Sequence, residues 1–64
     1  MKLKVEKEKN GITYNADAVI DESEYPMITV TSSLGVKTTQ VGGHVGYEKQ
    51  LAEMLLSEMI EQNT

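Results

Sequence analysis

Lys2-Leu3-Lys4-Val5-Glu6-Lys7-Glu8-Lys9-Asn10-Gly11-Ile12-Thr13-Tyr14-Asn15-Ala16-Asp17-Ala18-Val19-Ile20 carries two runs of alternating residues on either side of an Asn-Gly pair. In the first run Leu3 and Val5 fall on one side and Lys2, Lys4, Glu6 and Glu8 on the other, as in a strand with one wet face. Such charges suit the edge of a sheet, where lysines discourage unwanted pairing. Asn10-Gly11 supplies the positive φ angles of a tight hairpin turn. In the second run Ile12, Tyr14, Ala16, Ala18 and Ile20 share one parity while Thr13, Asn15 and Asp17 take the other. The stretch therefore reads as a hairpin of strands over residues 2–9 and 12–20. Its central alanines are small, so a bulky layer should pack over them.

Outward from the hairpin, Asp21-Glu22-Ser23-Glu24-Tyr25-Pro26 breaks the pattern with charge and a proline, which has no N–H for a central ladder, and reads as a surface loop. Residues 27–33 are rich in β-branched side chains, with Ile28 and Val30 alternating against Thr29 and Thr31, and form a third strand. After Leu34-Gly35, residues 36–41 read as a more polar edge strand, although Gly35 and the threonines also suit a loop. Gly42-Gly43-His44-Val45-Gly46 is a hinge into a helix over residues 47–62. In that helix Leu51, Leu55 and Met59 lie on one line and Ala52, Leu56 and Ile60 on the next. Glu61-Gln62-Asn63-Thr64 is polar and is expected to fray. The fold class is α+β: an antiparallel meander of three to four strands followed by one C-terminal helix, ββββα.

A chain of 64 residues supports one domain, since it buries only ~60% of its unfolded surface. A core of that size rarely supplies more than ~3–5 kcal/mol, and small proteins usually add disulfides, a metal or a partner subunit. There is no cysteine, and His44 is the single histidine, whereas structural zinc draws its ligands largely from Cys and His. No metal and no cofactor is expected, which leaves self-association as the support. All six basic residues are lysines, and ten acids bring the net charge to −4. A field of that sign repels nucleic acid and anionic membranes, and without arginine there is no planar fork for phosphate or guanine. Nucleic-acid binding through Lys2, Lys4, Lys7 and Lys9 is the weaker possibility left. No stretch approaches the ~20 apolar residues of a membrane span, and the opening MKLKVEKEK is too charged for a signal peptide, so the expected location is cytoplasmic.

Four constellations could carry function. Gly42, Gly43, His44 and Gly46 precede a helix whose free N–H groups favour an anion, which makes a phosphate or nucleotide site one reading and a plain connector the other. They match neither the phosphate-loop nor the dinucleotide pattern, and Glu48 in the first turn would itself occupy the positive end of the helix dipole. His44 could serve catalysis only if Ser32, Ser33 or a threonine met it as nucleophile and Asp17 or Asp21 oriented it, and no spacing brings these together. The acidic loop Asp21, Glu22, Glu24 and Tyr25 could contact a basic partner, but it lacks the spacing of a calcium loop, and most charge runs of this kind are solvated surface. Finally, with Met54 to one side, the helix is apolar over well more than half its circumference, more than one sheet can cover. Leu51, Met54, Leu55, Leu56, Met59 and Ile60 are therefore expected to divide between core and a dimer interface, the alternative being that all of them fill the domain's own core. The reading is a small non-enzymatic protein-interaction module, homodimeric, of the bacterial or phage accessory kind. The rival is an anion- or nucleotide-binding protein that uses the glycine hinge.

Overall fold

The computed structural model describes residues 1–44 and 46–63, His44 by its backbone alone. Four strands, β1 (Lys2–Lys9), β2 (Ile12–Ile20), β3 (Met27–Ser32) and β4 (Gly35–Gln40), precede a 3-10 turn (Gly42–His44) and one helix, α1 (Glu48–Gln62). The strands form a single antiparallel sheet in the order β1-β2-β3-β4. This is the expected ββββα architecture, and it resolves 36–41 in favour of a strand. Only the ends move: β3 stops at Ser32, β4 spans Gly35–Gln40, and Tyr47 is the residue before the helix rather than its first turn.

The turn between β1 and β2 has φ values of 55° at Asn10 and 79° at Gly11, the paired left-handed conformation that matches strand twist in a two-residue hairpin. It fixes the register Lys9↔Ile12 through Lys2↔Val19. A one-residue slip would turn the buried Ala16, Ala18 and Ile20 of β2 into water. The β3–β4 connection is equally short, with Ser32 paired to Gly35 and the Ser32 hydroxyl accepting from the Leu34 N–H at 3.0 Å.

Alternation then sorts the side chains into two faces. Val5 of β1, Ala16, Ala18 and Ile20 of β2, and Ile28 and Val30 of β3 are buried on one face and share a single cluster with the helix. The helix contributes Leu51, Ala52, Leu55, Leu56, Met59 and Ile60, and lies against β1, β3 and β4. Beyond β4, Val41 is buried too and gives its N–H to the Pro26 carbonyl at 2.9 Å, which closes the core at the hinge. Lys37 of β4 reaches Glu58 of the helix at 3.2 Å, tying the edge strand to the layer above it. The polar tail does not simply fray: Glu61 and Gln62 are helical, and the Asn63 side chain donates to the Met59 carbonyl at 2.7 Å. Among the described residues no helix is long and apolar enough to cross a membrane.

Among the described residues no layer lies over the sheet's other face. Lys2, Lys4, Glu6 and Glu8 project there from β1, Thr13, Asn15, Asp17 and Val19 from β2, Met27, Thr29 and Thr31 from β3, and Val36, Thr38 and Gln40 from β4.

Truncation should separate core from surface on one helix. Leu56→Ala, at a fully buried position, is expected to cost about 2–5 kcal/mol in urea unfolding. Met54→Ala, at an exposed one, should stay within about 0.5 kcal/mol. Equal losses would contradict the packing described.

Candidate functional site

The apolar helix residues do not present an interface. Leu51, Leu55, Leu56, Met59 and Ile60 are all buried inside the chain, and among the six expected interface residues only Met54 is exposed, at 48%. The expectation of a helix-borne dimer surface is corrected accordingly, for a geometric reason. At ~100° per residue the buried positions occupy an arc of roughly 180°, and Met54 alone lies outside it. A twisted four-stranded sheet closed by Val41 covers half a helix.

The glycine hinge is occupied by the protein's own acid. Both carboxylate oxygens of Glu48 accept from the Gly46 N–H, at 2.6 and 3.2 Å, so this donor is already satisfied by an anion. Gly42 at φ 55° and Gly46 at φ 89° hold left-handed conformations that allow the chain to swing from β4 into the helix. Gly43 lies between them in the 3-10 turn, and the side chain of His44 lies outside the described residues.

In the acidic loop the members part company. Asp21 is a structural residue: its carboxylate accepts from the Ser23 hydroxyl at 2.9 Å, the Met27 N–H at 3.1 Å and the Ser23 N–H at 3.4 Å. The Ser23 hydroxyl, and after it the Met27 N–H, hold the Asp21 carboxyl below its ordinary value of 3.8. Glu22 and Glu24 are exposed without such ties, and Tyr25 is 76% exposed. Glu24, Tyr25, Pro26, Gln40 and Gly42 line a small groove of about 160 Å³ at the end of β4.

At the end of β3, Asp17, Ser32 and Ser33 line one open depression of about 430 Å³ that draws Lys4, Asn15 and Thr31 from the open face and Val5 and Ala16 from the helix side. Ser32 already accepts a bond there from its own turn. The β1 lysines are split: Lys2 and Lys4 share the open face with Glu6 and Glu8, while Lys7 and Lys9 have the opposite parity and lie towards the helix side. No continuous basic stripe results. Among the described residues no group of three or more His, Cys, Asp or Glu could hold a metal ion.

Sequence reasoning overlooked the backbone of β4. The Val41 N–H pairs inward to Pro26, so the odd residues of this strand bond β3 and the even residues Val36, Thr38 and Gln40 direct their N–H and C=O groups outward. Likewise Ile20 donates to the Met1 carbonyl at 2.8 Å, which places the outward groups of β1 at Lys2, Lys4, Glu6 and Glu8. Every outward position on β1 is charged, and none on β4 is. The signal was available in the alternation of residues 36–40.

The depressed Asp21 value fixes the sign of an acid effect. The contribution of Asp21 is complete above its unfolded-state value and is lost as pH falls through the lower folded-state one. The Met27 amide resonance should thus titrate with a midpoint below 3.8, and Asp21→Ala should abolish that titration. A midpoint at or above 3.8 would show that the loop bonds do not favour the charged form.

No family model matches the chain, and no curated protein or solved structure matches it.

Proposed function

We propose that this chain is a non-catalytic protein-interaction module that works as a homodimer, with its contact surface on the sheet side of the fold. The observation that carries the reading is the uncovered half of the sheet. One helix protects one face, so the opposite face and both edges meet water. That side carries Val36 at 65% and Val19 at 45% exposure among threonines, a mixture of apolar and hydrogen-bonding groups suited to contact with another protein. The size of the chain supports the same reading, since a single small core is marginal alone and a partner subunit adds buried surface. The occupied Gly46 donor tells against the anion-binding rival, because an incoming phosphate would have to displace a carboxylate held at 2.6 Å.

Sedimentation equilibrium across a dilution series tests this. The expected result is a species of twice the chain mass that dissociates on dilution, with a thermal midpoint that rises with protein concentration. A monomer whose midpoint is independent of concentration would refute the homodimer.

A further inference from the structure

The geometry points to β4 as the dimer contact: two copies join edge to edge, antiparallel, about a two-fold axis through Thr38, making one continuous sheet with both helices on the same side. This rests on the homodimer reading above and specifies its surface.

The two edges of the sheet differ in kind. On β1 the residues whose backbone groups face outward are Lys2, Lys4, Glu6 and Glu8, and such charges guard an edge against added strands. On β4 they are Val36, Thr38 and Gln40, all uncharged, in a strand without proline. The charge of Lys37 points to the helix side and is engaged by Glu58 at 3.2 Å. Pairing of β4 with β1 of the next copy would propagate into an open filament, and the charges of β1 oppose it. Pairing of β4 with itself closes after two copies.

Register follows from charge and from parity. An axis at Lys37 would set the two ammonium groups directly opposite each other, which is unfavourable. Shifting it to Thr38 places Thr38 against Thr38 of the second copy, Lys37 against Thr39, and Val36 against Gln40, so no like charges face one another. This register also matches the exposed apolar groups. Gln40 lines the groove of Tyr25 and Pro26. Val36 of the second copy, opposite Gln40, therefore comes to the mouth of that groove. Two of the most exposed hydrophobic side chains, Val36 at 65% and Tyr25 at 76%, are brought together by one symmetry operation. That self-complementarity is what favours a second copy over a strand from an unrelated protein.

The test is charge introduction at the axis, read by sedimentation and by amide exchange. Thr38 is exposed, and its side chain bonds only the Thr29 hydroxyl at 3.1 Å, so Thr38→Lys and Thr38→Glu should leave the fold, checked by circular dichroism, intact. Each variant alone is expected to lose the dimer at concentrations where the parent chain is dimeric, and a mixture of the two should restore it. In the parent chain the Val36, Thr38 and Gln40 amides should exchange more slowly than those of Lys4 and Glu6, and dilution should remove the difference. A parent dimer that persists in both variants, or outward β4 amides as fast as those of β1, would overturn the β4 contact while leaving self-association standing. A parent chain that stays monomeric would overturn both. The exchange measurement needs no variant, so it decides the matter even if a substitution unfolds the chain.

Discussion

A single helix laid on one face of a four-stranded sheet sets nearly every other property of this protein. Leu56 and Ile60 share one cluster with Ile28 and Val30 of the sheet, above a floor kept shallow by Ala16 and Ala18. Because apolar burial is the main favourable term, the chain gains it by pressing its one greasy helix against its one greasy sheet face. A second apolar face would need a second layer, and the described residues supply none. The opposite face must therefore tolerate water, and its threonines, Asn15 and Asp17 do so while retaining strand propensity.

The same constraint explains what could be read directly from residues and what could not. The Asn10-Gly11 pair and the alternation on both sides of it name a hairpin, a register and a buried face with almost no reference to the rest of the chain. Local chemistry decided those features, so local reasoning found them. The fourth strand was ambiguous because Gly35, Thr38 and Thr39 suit a loop as well as a sheet margin. Pairing with β3 and the contact of Lys37 with Glu58, 21 residues further along the chain, settle it as a strand.

The helix surface was misjudged for a related reason. A helical wheel reports where apolar residues lie, but not how far a twisted sheet wraps around them, nor that Val41 closes the near end. Met54 made the stripe look too wide, and its exposure shows that one methionine can stand outside an otherwise complete core. The hinge residues were legible as flexible backbone but not as a filled site. Only the geometry reveals that the Glu48 carboxylate curls back on the Gly46 N–H.

What separates the two edges of the sheet is a difference in obligation. Strand β1 begins the meander and projects with β2 as a hairpin, so its outward backbone is available to any passing strand unless something forbids it. Four charged side chains on that outward register provide the prohibition. Strand β4 has the same unpaired groups and the same exposure to the solvent, yet it spends its one charge inward on Glu58. A monomer that needed both edges closed would gain by a lysine at position 36, 38 or 40, a substitution that the exposed side of the strand could accept without disturbing the core. The chain has valine, threonine and glutamine there. Uncharged residues leave an edge open to a further strand, and under the dimer proposal the two-fold about Thr38 is the covering that this strand supplies to itself.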